Sequence, residues 1–256
     1  MERIKLYGLS LILFAVIALQ ATPTSARFQT AGEAETYFHQ GVSNAESGRY
    51  KEAVESYRQA IQLKPDFAEA FSNLGYAYGK LERYAEARDV LVQAIRLDAH
   101  LAKAHNNLGY VYAAERRYEK AIAAYLESIR LNPGYAIFHL NLGMAYAESG
   151  RFRDAFASLE QAIQLEPDLA DAYHNLGYVL TKAGRDQEAI RAYKQAILLK
   201  PDFGEAYHNL ALAYLDQGKR SLALEQYGKL KAFNKDKAER LLDLINRDRI
   251  IIVRKQ

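Results

Sequence analysis

The spacing of the prolines is the feature that most constrains how this chain can fold. Four of the five prolines are separated by 34 residues or by twice that number, and they are Pro65, Pro133, Pro167 and Pro201. Ala99 occupies the one missing position of the series. A fixed period of this length is typical of arrays of repeated helix pairs, in which a proline ends the second helix because it lacks a backbone donor. The sequence therefore predicts an all-α repeat protein.

Other residues recur with the same period and outline the two helices of each repeat. The first helices are predicted to begin at Ala34, Ala68, Ala102, Ala136, Ala170 and Gly204. A ring follows three residues later, at Tyr37, Phe71, His105, His139, Tyr173 and Tyr207. Next come a Leu-Gly pair and a tyrosine, such as Leu74-Gly75 and Tyr78, and the second helix carries an alanine and then a large residue, such as Ala87 and Leu91. Glycine inside a helix costs roughly 1 kcal/mol relative to alanine, so we expect it to permit close approach of the partner helix.

This pattern closely resembles the tetratricopeptide repeat, with its aromatic-x-x-Leu-Gly-x-x-Tyr string followed by Ala-x-x-x-aromatic and proline. The resemblance covers six copies, at 34–67, 68–101, 102–135, 136–169, 170–203 and 204–237. It implies a right-handed superhelical α-solenoid whose concave side is lined by the first helices. The first copy departs from the pattern at Gln40 and Asn44 and the last at Ala211, as expected of terminal repeats that face solvent on one side.

The residues after the sixth repeat, 236–256, predict a capping helix and a tail. Ala238, Leu241, Leu242 and Ile245 recur at helical spacing, which favours a helix from Asp236 to Asn246 that covers the end of the array. The tail contains the β-branched run 250–253, which is typical of a strand. One interpretation packs the tail against the capping helix, and the other pairs it with a strand of a partner.

The first 26 residues have the layout of a secretory signal peptide. Arg3 and Lys5 precede an apolar run, and small residues lead up to Ala26. The run of about 14 residues is shorter than the ~20 needed to span a bilayer. We expect cleavage after Ala26, a polar linker at 27–33, and an extracytoplasmic location, either periplasmic or secreted. The alternative is an uncleaved membrane anchor formed by residues 6–26. A lipid-anchored lipoprotein is excluded, because the chain has no cysteine.

Composition and motifs argue against catalysis and against nucleic-acid binding. The formal net charge is only +3, and the basic residues form no stripe. We find no phosphate loop, dinucleotide fingerprint, Gly-x-Ser-x-Gly string or HExxH motif, and six repeats leave no room for a catalytic domain. We therefore expect a protein that is not an enzyme and uses no cofactor. His174 and His208 occupy equivalent positions, but no carboxylate cluster accompanies them, so two rings lining the groove are a simpler interpretation than a metal site.

The sixth position of repeats two to six is an asparagine in every copy. These residues are Asn73, Asn107, Asn141, Asn175 and Asn209. Asparagine is a poor helix former, so its presence at one predicted face requires a gain elsewhere. A carboxamide has both a donor and an acceptor and can pair with a peptide backbone. Tyrosines three residues later are predicted to add apolar contact, at Tyr76, Tyr110 and Tyr178. Alternatively, repetition of the family pattern alone accounts for the asparagines.

The row of asparagines is similar to that in the repeat domain of the O-linked N-acetylglucosamine transferase, where inner-face asparagines hold the backbone of a substrate. The resemblance is confined to the repeats and implies an extended peptide or protein segment bound in the concave groove. Two other inner positions carry seven acidic and three basic residues, so we expect a neutral to basic partner: Glu35, Glu46, Glu69, Glu148, Asp171, Glu205 and Asp216 against Lys80, Lys103 and Lys182.

Two other kinds of partner remain open, and one is argued against. The chain could be a self-assembling scaffold that forms homo-oligomers, or an accessory subunit of an envelope enzyme or secretion complex. A clamp of the co-chaperone type is not predicted. Of the basic residues that such a clamp uses, only Lys103 is matched, and Asn107 stands where the next one is expected.

Overall fold

The computed structural model describes residues 24–254, with side chains from 32 to 246, and this part of the chain is built of thirteen helices without a strand. Five of the predicted first helices begin at the expected residues, which confirms the repeat register and the all-α fold class. The helices are α1 Thr24–Glu46, α2 Tyr50–Leu63, α3 Ala68–Lys80, α4 Tyr84–Leu97, α5 Ala102–Ala114, α6 Tyr118–Leu131, α7 Ala136–Glu148, α8 Phe152–Leu165, α9 Ala170–Lys182, α10 Asp186–Leu199, α11 Gly204–Asp216, α12 Arg220–Lys231 and α13 Lys235–Arg254.

The helices fall into two compact units that divide inside α5, the first ending at Asn107 and the second beginning at Leu108. In the first unit α1 contacts α2, α2 contacts α3 and α3 contacts α4, and α1 also contacts α3. In the second unit α6 to α13 each contact the next helix, while α7, α9 and α11 also contact one another in series. Within residues 24–254 no helix has both the length and the apolar composition of a membrane span. The predicted signal peptide lies outside the described residues except for its last three.

In repeats one to five a glycine of the first helix faces a large side chain of the second helix. A β-carbon placed on Gly177 would lie 2.6 Å from the ring of Tyr193. On Gly143 it would lie 2.8 Å from Cγ of Leu159 and 3.2 Å from the backbone oxygen of Ala155. These distances leave no space for a side chain at the glycine. The large residues that occupy this place, each at most 2% exposed, are Tyr57, Leu91, Tyr125, Leu159 and Tyr193.

The sixth repeat has a different contact because Ala211 takes the place of the glycine. Ala211 is completely buried, and the corresponding tyrosine of the second helix, Tyr227, is only partly buried. Gln226, which precedes Tyr227, is 5% exposed and donates a hydrogen bond to the backbone oxygen of Leu222 at 3.3 Å. The methyl group of Ala211 thus occupies space that a fully inserted ring would need.

In repeats one to four the turn between the two helices is braced by an arginine. In repeat two the Arg83 guanidinium lies 4.5 Å from the ring centroid of Tyr78. In repeat one, where Asn44 replaces that tyrosine, Arg49 donates two hydrogen bonds to Oδ1 of Asn44, at 3.2 and 2.9 Å. The departure of the first repeat from the pattern therefore preserves the brace with a different interaction.

The capping helix α13 closes the core of the sixth repeat. Ala238, Leu241 and Ile245 are completely buried and share one cluster with Leu210 and Leu230. At the edge of this contact the side chain of Arg220 donates to the backbone oxygen of Ile245 and, at 3.0 Å, to Oδ1 of Asn246. Lys237 forms an ion pair with Glu205 of α11.

At both ends of the described chain the helices are longer than the sequence predicts. Residues 27–33, predicted as a linker, belong to α1, which begins at Thr24 rather than Ala34. The run 250–253, predicted as strand-like, continues α13 to Arg254. Both corrections have the same physical reason: extending an existing helix adds a hydrogen bond per residue without a new nucleus, and β-propensity is a weak, context-dependent preference.

The glycine contact makes a direct prediction about stability. We expect Gly143→Ala to lower the free energy of unfolding by about 1–3 kcal/mol, because Leu159 and the backbone of Ala155 must shift. Gly228→Ala in α12 is the matched control, since a β-carbon there has nothing within 4 Å, and it should be neutral or stabilising by up to about 1 kcal/mol. Urea unfolding followed by circular dichroism measures both. Equal stability of the two variants would contradict the assigned contact.

Candidate binding face of the first helices

Positions two, five, six and nine of each first helix share one side of that helix, because residues three, four and seven apart are neighbours on a helical surface. In α9 these positions are Asp171, His174, Asn175 and Tyr178. In the second unit this side continues from helix to helix: Tyr178 of α9 donates a hydrogen bond to Oε1 of Glu148 on α7, at 3.1 Å. We call the exposed side of α7, α9 and α11 in the second unit, and of α1, α3 and the start of α5 in the first, the first-helix face.

The asparagines at position six are all partly buried, and none of them is without a partner within the fold. In the first unit Nδ2 of Asn107 donates to the backbone oxygen and to Oγ of Ser72, both at 3.2 Å. In the second unit Nδ2 of Asn209 lies 3.0 Å from Nε2 of His174. Ser72 and His174 both stand at position five of the preceding repeat. Asn107 and Asn209 are therefore each tied to the fifth residue of the preceding repeat.

Asn73 also has a partner within the fold, but one of a different kind. In the repeat before Asn73, position five is Phe38, which has no hydrogen-bonding group in its side chain. Asn73 instead forms a side-chain hydrogen bond with the hydroxyl of Tyr57. The asparagines thus have a role within the fold that sequence comparison missed. These hydrogen bonds join different positions of two repeats, whereas an alignment of repeats compares only equivalent positions.

The contacts of Asn107 and Asn209 use the amide nitrogen alone. Their carbonyl oxygens, Oδ1, are left to accept hydrogen bonds from a bound molecule. A fixed amide nitrogen also fixes the direction of the carbonyl oxygen on the same planar group. Each of these side chains therefore presents an oriented acceptor on the first-helix face.

The three tyrosines predicted as apolar contacts differ in their surroundings. Tyr76 is 36% exposed, and its ring stands edge-on to that of Tyr50 with centroids 6.3 Å apart. Tyr178 is partly buried, and the ammonium group of Lys182 lies 5.4 Å from its ring centroid. Tyr110 is partly buried on α5.

The histidines divide into two groups. At the ring position Nε2 of His105 bonds the backbone oxygen of Ala99 at 3.1 Å, and Nε2 of His139 bonds that of Pro133 at 3.0 Å, so both tie a first helix to the loop before it. On the first-helix face burial lowers the pKa of His174, against the opposing effects of a hydrogen bond with Asn175 and of nearby carboxylates. His174 is thereby favoured as the neutral ring, whose Nε2 can accept from Asn209.

His208 stands at the position equivalent to His174 but lacks its partner. Burial, reinforced by the positive charge of Lys237, lowers the pKa of His208, and its Nδ1 atom is buried without a hydrogen bond. The helix that follows is α13 rather than a further repeat, so no asparagine is supplied there. Among the side chains the structure describes, no three histidines or carboxylates converge as metal ligands would.

The structure also contains clefts outside the first-helix face. One of about 560 Å³ lies between α2 and α4 and contains Arg83 and Glu86, which form an ion pair. It contains none of the asparagines. The first-helix face is therefore the surface in the described chain where oriented polar groups recur.

Comparison with known proteins agrees with the repeats identified in the sequence and with the all-α fold. Family models described as TPR repeat match residues 44–82, 143–184 and 177–218, and models described as tetratricopeptide repeat match 72–136 and 204–237. No curated protein matches the sequence significantly.

Several solved structures share the fold. A chain of the APC/C hetero-tetramer Cut9–Hcn1 has a TM-score of 0.75 and 20% identity over 83% of this chain and 43% of that one, so the present chain spans less than half of it. PilW, described as a type IV pilus biogenesis factor, has a TM-score of 0.73 and 20% identity, over 82% of this chain and 98% of that one. YrrB, described as a TPR protein with an unusual peptide-binding site, has a TM-score of 0.54 and 21% identity, over 74% and 99%.

At these identities the likeness to solved structures shows the fold alone, whereas the family matches run through most of the six copies identified in the sequence. The helix pairs of the structure begin where the repeats of the sequence begin. The chain therefore belongs to the tetratricopeptide-repeat family.

Proposed function

We propose that this protein is a non-catalytic scaffold that binds an extended segment of a partner protein along its first-helix face. Repeats of this family typically serve as scaffolds for protein–protein interaction. The observation that carries the proposal is the orientation of the asparagines: Asn107 and Asn209 are held through Nδ2 and leave Oδ1 to accept a hydrogen bond. Backbone N–H groups of an extended segment are the natural donors for such a row, because they recur along the chain whatever its side chains.

The spacing of the helices suits an extended backbone. Packed helices lie about 8–10 Å apart, and an extended chain advances about 3.3 Å per residue, so each asparagine meets roughly every third residue of the ligand. In the second unit Asn141, Asn175 and Asn209 lie on α7, α9 and α11. These three positions engage a segment of about 6–8 residues.

The charges of the second unit favour a neutral to basic segment. At positions two and thirteen of its first helices Glu148, Asp171 and Asp216 are exposed and Lys182 is the one basic residue among them, while Glu205 is paired with Lys237. The excess is negative although the whole chain carries a formal charge of +3. Added salt should weaken this preference, because exposed charges are screened beyond about 8–10 Å.

The proposal is tested with Asn141→Ala, Asn175→Ala and Asn209→Ala combined in one variant. Random 12-residue peptides displayed on phage are selected on the unaltered protein, and the enriched peptides are synthesised for titration calorimetry. Three lost hydrogen bonds of about 1 kcal/mol each should weaken binding about a hundredfold. A control variant with Gln161→Ala and Lys194→Ala, exposed residues of second helices, should bind unchanged.

Equal affinity of the triple variant and the unaltered protein would contradict the proposal. Since Asn209 also bonds His174, the unfolding midpoint of the triple variant is measured separately, so that a loss of stability is not mistaken for a loss of contact. Light scattering distinguishes the second candidate, a self-assembling scaffold, because it would show oligomers in the absence of peptide. A role as accessory subunit of an envelope enzyme or secretion complex is compatible with the same binding face.

We also propose that the protein works outside the cytoplasm. The support is the charged start, short apolar run and small residues before Ala26. N-terminal sequencing of protein isolated from the host should find Arg27 as the first residue in a soluble envelope or secreted fraction. An intact Met1 in the membrane fraction would favour the anchor formed by residues 6–26 instead.

A further inference from the structure

The first helix of repeat four is apolar at positions two, five and nine of the first-helix face. Ile137 at position two is 37% exposed, Leu140 at position five is 9% exposed, and Met144 at position nine is partly buried. Position two is charged in all the other repeats, as Glu35, Glu69, Lys103, Asp171 and Glu205. A charged residue is therefore compatible with the fold at this position, and folding alone gives no reason for an isoleucine.

The neighbouring helix α9 adds Tyr178 to this apolar surface and places charged residues at its edges. Tyr178 packs against the cluster that contains Leu140, and its hydroxyl is held by Glu148. Asp171, at position two of α9, is exposed at the same end of the helices as Ile137. Lys182 lies near the opposite end, with its ammonium group over the ring of Tyr178. The surface thus has an acidic edge beside Ile137, while the edge beside Tyr178 carries both Glu148 and Lys182.

We propose that Ile137, Leu140, Met144 and Tyr178 form a subsite for one large apolar side chain of the bound segment, and that Asp171 binds a lysine or arginine of the same segment. Leu140 forms the floor, since it is almost fully buried, and the exposed Ile137 and the partly buried Met144 form the wall. A methionine adapts its shape to different apolar side chains, which suits a site that takes Leu, Ile or Phe. This inference rests on the proposed function and adds a sequence preference to it.

The spacing of the two recognised residues follows from the helix positions. Ile137 and Asp171 occupy equivalent positions on neighbouring first helices, about 8–10 Å apart. An extended segment covers that distance in about three residues. The expected ligand is a peptide with a large apolar residue about three positions from a lysine or arginine, and not a second copy of this chain.

The test compares Ile137→Glu with the unaltered protein, using peptides selected from the same phage library. Glu is the residue at this position in repeats one, two and six, so the variant should keep its circular dichroism spectrum and melting temperature. The enriched peptides should share the apolar and basic residues at the stated spacing. Their affinity should fall about ten- to a hundredfold on Ile137→Glu, the range expected when burial of one large apolar side chain is lost. Asp171→Asn should weaken binding less and reduce its dependence on salt.

Leu198→Glu is the matched control, because Leu198 is an apolar residue 72% exposed on the second helix α10, and it should leave affinity unchanged. If the asparagine variant weakens binding but Ile137→Glu does not, the subsite is wrong and the proposed function stands. If neither variant weakens binding, the subsite and the proposed function are both wrong. If the unaltered protein forms oligomers and Ile137→Glu makes it monomeric, the surface binds a second copy of this chain. Displacement of the selected peptides by a synthetic peptide of residues 3–14 would assign it to this chain's own N-terminal segment. Either result overturns the inference.

Discussion

The architecture of repeats one to five depends on one contact, between a glycine of the first helix and a tyrosine or leucine of the second. A helix with glycine in this place can approach its partner until the large side chain rests against bare backbone, as Tyr193 does at Gly177. That contact sets both the distance and the rotation of the two helices. Rotation in turn decides which side of the first helix is buried in the repeat and which side remains for other molecules. The sixth repeat supports this view, because Ala211 in the glycine position coincides with an incompletely buried ring at Tyr227.

A second theme is that the same side chains serve the fold and the candidate site. Asn107 and Asn209 each join one repeat to the one before it through Nδ2. This internal bond explains why a poor helix former is retained at position six without any ligand. It also holds the carbonyl oxygen in a fixed orientation, which reduces the entropy that a ligand contact would otherwise have to overcome. The structural and the binding interpretations of the asparagines are therefore complementary.

Much of the fold can be predicted from the sequence, because the same pattern of residues is present in six copies. The starts of α3, α5, α7, α9 and α11 follow from the period alone. The helical structure of residues 27–33 and 250–253 cannot be predicted in this way, because these segments have no second copy with which to compare them. In both segments the adjoining helix continues, although local propensity favours another structure. The partners Ser72 and His174 could not be foreseen without the positions of neighbouring repeats in space. Ile137 is visible in the sequence as an apolar residue in a charged series, but only its exposure shows that it faces outward.

The central claim is that the first helices, and not the second, form the surface that holds a partner segment. Photo-crosslinking tests it most directly, with a photoreactive leucine placed at the apolar position of a peptide that binds the unaltered protein. Mass spectrometry of the digested product should find the crosslink on α7 or α9, close to Ile137, Met144 or Tyr178. Crosslinks confined to the second helices α8, α10 and α12 would contradict the account.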